Sequence, residues 1–87
     1  MNRNGFDILN ELLVSCRRTP LTKYKLMCCA YVPHKTFRKY FHMLKANDLI
    51  EEVPQRDKHT RYVATEKGNT FITTFKTLRG LMGNGEV

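Results

Sequence analysis

Positive charge is the chemistry this sequence offers. From Arg17 to Asn47 it carries eight basic residues, Arg17, Arg18, Lys23, Lys25, Lys35, Arg38, Lys39 and Lys45, and no acidic one. Over the whole chain, fifteen Lys and Arg stand against eight Asp and Glu, a formal net charge of +7. Cations at that density inside a foldable segment suit a polyanion, nucleic acid ahead of a membrane surface. Two roles can be separated. Lys35, Thr36, Arg38, Lys39 and His42 share one short stretch, and arginine or lysine there suits the O6 and N7 acceptors of guanine. Lys23, Lys25, Arg56, Lys58 and Arg61 flank it, and cations so placed suit phosphates, which position a duplex without reading it. For His34, His42 and His59 a plain solvent-exposed side chain is the stronger reading.

Other chemistries find little support. The sequence has no glycine-rich phosphate loop, no nucleophile with a partner in register and no carboxylate pair with a pocket, so an enzyme is not expected. Asp57 and His59 fall in a polar loop that suits catalysis poorly. The three cysteines, Cys16, Cys28 and Cys29, are an odd number without CxxC spacing. They read as small, reduced, buried residues, with no metal and no cofactor called for. Cys28 and Cys29 are adjacent, so on a helix at most one of them faces the core. No stretch is apolar enough to span a membrane. Asp7, Asn10 and Glu11 interrupt any signal-peptide core, so a cytoplasmic protein is expected.

The elements that must position these cations follow from periodicity. Residues 34–47 read as a helix whose inner stripe is Phe37, Tyr40, Phe41 and Leu44, at i, i+3, i+4, i+7. Its opposite side carries Lys35, Arg38, Lys39 and His42. Pro33 opens it without a hydroxyl cap. Upstream, Asn4 and Asp7 form a capping box for a helix over 5–16, with Phe6, Leu9, Leu13 and Cys16 inward and Ile8 and Leu12 widening the stripe. Pro20 ends that segment, and 19–21 is an extended connector able to pair at a sheet edge. Thr22 caps a short helix over 23–29, with Leu26 and either Cys29 or Ala30 inward. Tyr31 and Val32 make the turn to Pro33, with packing into it the favoured reading for Tyr31 over stacking on a sugar. Two short strands, 49–53 and 61–64, enclose the polar loop 54–60, with Tyr62 and Ala64 on one side. Thr65 caps a last helix of about 17 residues, roughly 25 Å. Its apolar positions Phe71, Phe75, Leu78 and Met82 are spaced four, three and four, a narrow seam of heptad type. Gly83-Asn84-Gly85 closes it, leaving a disordered tail over 84–87.

Helix, edge segment, helix, turn, helix, strand, loop, strand, helix is the order of a winged helix-turn-helix, an α+β fold that is mostly helical. The chain resembles the small archaeal winged helix-turn-helix proteins in Leu49-Ile50-Glu51 at a strand start, Tyr62-Val63-Ala64 after the wing, and Thr65-Glu66-Lys67-Gly68 opening the next helix. The resemblance covers roughly residues 6 to 82. It implies binding to double-stranded DNA, with helix 34–47 in the major groove and the wing beside it. Some members pair a long C-terminal helix as an antiparallel coiled coil; here the last helix is short, and its seam of Phe71, Phe75, Leu78 and Met82 predicts a homodimer through that helix, with docking on the monomer core as the alternative. The chain then divides into a winged domain over 5–64, a C-terminal helix over 65–83 and the tail. Transcription regulation or nucleoid association would follow. A winged-helix interaction module without nucleic acid is the alternative. An RNA binder would usually expose aromatics on a sheet, and few are available here.

Overall fold

The structure, a computed structural model, describes residues 4–82. The proposed tail at 84–87 and the closing Gly83 lie outside that range. Four helices and three strands follow in chain order: α1 (Gly5–Ser15), β1 (Leu21–Thr22), α2 (Lys23–Ala30), α3 (His34–Ala46), β2 (Ile50–Val53), β3 (Arg61–Ala64) and α4 (Glu66–Leu81). Local chemistry sets most of the boundaries. The Asn4 side chain accepts from the Asp7 N–H at 2.9 Å, and the Asp7 carboxylate accepts from the Asn4 N–H at 3.0 Å, a reciprocal cap on α1. The Thr22 hydroxyl accepts from the Lys25 N–H at 3.2 Å and starts α2. At α3 Pro33 stands in the cap position and makes no side-chain cap bond.

The sheet is antiparallel with order β1-β3-β2. Leu21 and Thr22 pair with Tyr62 and Arg61, so the extended connector does add a strand at the edge. Ile50 faces Ala64 and Glu52 faces Tyr62 across β2 and β3. Period-two alternation then puts Tyr62 and Ala64 on the buried side, as expected from the sequence. The core gathers Leu9, Leu12 and Leu13 of α1 with Cys16 just after it, Leu26 and Ala30 of α2, and Phe37, Phe41 and Leu44 of α3, with Ile50, Tyr62 and Ile72 closing it. Leu12, Leu13, Leu26 and Leu44 are wholly inaccessible, each worth about 1.5–3 kcal/mol over an exposed position.

The last helix enters this core through the Thr65–Gly68 turn. Thr65 donates its hydroxyl to the Asp48 carbonyl at 2.7 Å and accepts from the Gly68 N–H at 3.0 Å. A Cβ on Gly68 would collide with the Leu49 carbonyl oxygen, so only glycine lets α4 approach the residue before β2 this closely. Ile72 and Phe75 then bury against the domain, and Arg79 donates to the Asp7 carboxylate of α1 at 2.9 Å.

Four side chains depart from the sequence reading. Phe6 is 58% exposed. It sits about 90° round α1 from the centre of the buried arc, and its ring lies instead beside Phe71, at 6.5 Å. Tyr31 is 87% exposed. It ends α2 in the left-handed conformation, φ 52°, which turns its ring outward, while Val32 packs against the core. Cys28 and Cys29 are both exposed, because Leu26 and Ala30, one turn apart, with Met27 partly buried beside them, fill the inward face of α2. Only Cys16 is buried as expected, and burial pushes its thiol up to about 11. The heptad-type seam is also split. Phe75 is buried within the domain, while Leu78 and Met82 are 43% and 48% exposed.

Candidate nucleic-acid interface

The inner stripe of α3 locks that helix in place and thereby aims its other side. Phe37 and Phe41 stack at 5.3 Å, and Phe41 meets Tyr62 edge-on at 5.0 Å. Tyr40, the fourth stripe residue, is half-buried and approaches Gly5 of α1. With those rings inward, Lys35, Arg38, Lys39 and His42 are all exposed. They line one concavity of ≈ 730 Å³ together with Lys23 and Lys45. Five full cations therefore share a surface whose lining holds no carboxylate. The cations come from two helices, because Lys23 is the first residue of α2 and the rest lie on α3.

The other expected contacts fall around this centre. Thr36 is half-buried in the first turn of α3 and does not line the concavity. Lys25 is exposed on α2 outside it. Arg56 and Lys58 are exposed on the loop between β2 and β3, where Lys58 has φ 67° and its N–H bonds the Gln55 carbonyl. Arg61 differs. Its guanidinium grips the Asp57 carboxylate with two bonds, 3.2 and 2.9 Å, and the His59 N–H adds a third at 3.1 Å. Those contacts hold the Asp57 carboxyl below the usual carboxylate range, the Arg61 bond first. The loop tip is thus tied back to its own strand, and Asp57 serves as a turn anchor. Lys45 was not singled out from the sequence as a contact. The signal was present: it sits seven residues after Arg38 and three after His42, on the same ridge.

The sequence profile of winged helix-turn-helix proteins matches residues 2–83. The chain belongs to this family. In its terms α2 and α3 are the helix-turn-helix, and β2 and β3 with the loop between them are the wing. Solved structures share the fold at low identity. A DNA-binding protein of Sulfolobus solfataricus, Sso10a-2, superposes with a TM-score of 0.79 at 20% identity, over 94% of this chain and 84% of that one. The Staphylococcus aureus protein MepR in its DNA complex gives 0.71 at 15% identity, over 92% of this chain and 66% of that one. A MarR-family regulator of Silicibacter pomeroyi gives 0.62 at 18% identity, over 82% of this chain and 48% of that one. No curated protein matches the sequence. The winged helix-turn-helix here is nearly as long as the archaeal chain but spans about half to two thirds of the two bacterial ones. Among the described residues, no helix is long and apolar enough to cross a membrane.

Proposed function

We propose that the protein binds double-stranded DNA, with α3 in the major groove and the wing, 54–60, on the backbone. The observation that supports this most is the ridge Lys35–Arg38–Lys39–His42, exposed along a helix that its own aromatic stripe holds rigid. The titles of the similar structures agree, two of them naming DNA. Lys35, Arg38 and Lys39 face base edges, while Lys23, Lys25, Arg56 and Lys58 meet phosphates. Arg61 reaches a phosphate only by releasing Asp57. The protein then acts as a transcription regulator or as a nucleoid-associated protein in the cytoplasm.

Association through α4 belongs to the same proposal. Phe6, Phe71, Phe75 and Leu78 border a groove of ≈ 380 Å³ along α1 and α4, and Leu81 and Met82 are exposed at the end of the same helix. A second copy laid along α4 would cover that surface and present two recognition helices to paired half-sites.

The test is binding of a random duplex against a genomic library at two salt concentrations. With about five phosphates engaged, log affinity falls against log salt with a slope near −4 to −5. A flat dependence would leave the charge as a solubility feature and favour an interaction module. Enrichment of particular genomic sites marks a regulator, and uniform recovery marks a packing protein.

A further inference from the structure

One cluster on the sheet side of α3 has an arrangement that the recognition ridge does not require. Lys23 places its Nζ 5.2 Å from the centre of the Phe41 ring. Lys45, from the last turn of α3, places its own 5.8 Å from the same centre and 5.9 Å from that of Tyr62. The two ammonium groups therefore converge on one ring from different elements and lie no more than about 11 Å apart. Ring faces attract cations electrostatically, so the rings hold both groups at a place where their charges repel each other. One anion relieves that repulsion in the free protein. Glu52 of β2 reaches Lys45 with an oxygen at 3.9 Å, at the outer limit of an ion pair, with both side chains about half exposed. The strand register explains the placement, because Glu52 stands opposite Tyr62 and shares its side of the sheet.

We infer that Lys23 and Lys45, set by Phe41 and Tyr62, form a seat for a backbone phosphate, and that Glu52 occupies it when nucleic acid is absent. The inference rests on the DNA reading and adds to it where a strand runs: across the junction of α2, the end of α3 and the sheet. Glu52 is the built-in competitor. On docking, Lys45 exchanges a loosely held carboxylate for a phosphate, and Lys23 closes on the same group from the α2 side. Lysine stems are flexible enough for both movements. The exchange lowers affinity for any duplex and limits how many counterions the docking releases.

The experiment is a set of duplex titrations over a salt series with the parent, Glu52→Gln, Lys45→Gln and the double variant. Freed of its competitor, Glu52→Gln binds about threefold tighter, and its salt slope steepens by about one unit. Lys45→Gln binds more weakly, with a slope shallower by about one unit. In the Lys45→Gln background, Glu52→Gln brings no gain. Glu51→Gln, the same change on the opposite side of the strand, leaves affinity within the error of the parent. An equal gain from Glu52→Gln with and without Lys45, or from Glu51→Gln, would mean general repulsion of DNA and overturn the seat. If the parent shows no salt-dependent DNA affinity, the DNA reading itself falls. The seat is then judged alone by titrating inorganic phosphate against the Phe41 and Tyr62 ring signals. Shifts in the parent that vanish in Lys45→Gln support it, and unmoved signals overturn it.

Discussion

At the scale of single residues, α3 divides its work between two sides, and two substitutions separate them. Lys39 is exposed, with its Nζ 5.3 Å from the ring centre of its neighbour Tyr40. Such contacts are worth about 0.5–1 kcal/mol at exposed sites. Lys39→Glu is therefore expected to keep the fold, with a small fall in melting temperature, and to lose most DNA affinity, because a carboxylate then faces phosphate. Phe41 lies between Phe37 and Tyr62 and is 5% exposed. Phe41→Ala is expected to cost about 3–5 kcal/mol, a large share of what holds so small a domain together, so binding goes only with the fold. Thermal melts beside DNA titrations of both variants check this pair. Cys16 adds a pH signature. Its thiol stands at about 11 in the fold, against 9.0 ordinarily, chiefly because burial disfavours the thiolate. Between those values the unfolded chain gives up the proton while the folded chain keeps it, so stability falls as pH rises, by at most about 1.4 kcal/mol per unit. Denaturant titrations from pH 8 to 11 are expected to show a flatter decline for Cys16→Ala, and equal slopes would contradict that.

At the scale of elements, the turn into α4 is the tightest joint. Gly68→Ala forces a methyl into collision with the Leu49 backbone oxygen unless the helix moves. A loss of about 1–3 kcal/mol is expected, and a denaturant midpoint at or above the parent's would contradict it. Elements of this kind were largely legible in the sequence, because their signals are local. Asn4 with Asp7, Thr22 and Thr65 state where helices start, and the Phe37, Tyr40, Phe41, Leu44 spacing states which side of α3 is buried. What the sequence left hidden depends on neighbours far along the chain. On α2 the choice between Cys29 and Ala30 for the inward face falls to Ala30, with Leu26 and a partly buried Met27, and nothing near the two cysteines decides it. The exposure of Phe6 depends on where α4 lies, more than sixty residues later. The apolar pattern of α4 was read as one seam, yet Ile72 and Phe75 turn to the domain while Leu78 and Met82 stay open. Period alone does not tell a core-facing stripe from a partner-facing one. In the interface, the exposed ridge of α3 followed from the stripe opposite it. The position of Lys45 over Tyr62 needed the packing of α3 on the sheet, while the Arg61–Asp57 clasp is local, four residues apart.

At the scale of the whole molecule, the cations gather on α3 and its surroundings, and a second concentration, of apolar side chains, lies where Phe6 borders Phe71 and Leu78 of α4. The second concentration carries the expectation of a dimer. Sedimentation equilibrium at high concentration should show a species of twice the 10.2 kDa chain mass, and Leu78→Lys should return it to the monomer without lowering the melting temperature much. A single species at the chain mass would remove the dimer and leave DNA binding to one copy. The central claim, that the outward side of α3 is what meets DNA, has a more direct test. Fluorescence anisotropy of a labelled duplex over a salt series compares the parent with a variant carrying Lys35→Gln, Arg38→Gln and Lys39→Gln together, its fold checked by circular dichroism. The variant, folded, is predicted to lose most of the parent's affinity at every salt concentration while its slope stays near the parent's, because the phosphate contacts remain. Parent-like affinity in a folded variant would mean that DNA meets another surface, or none.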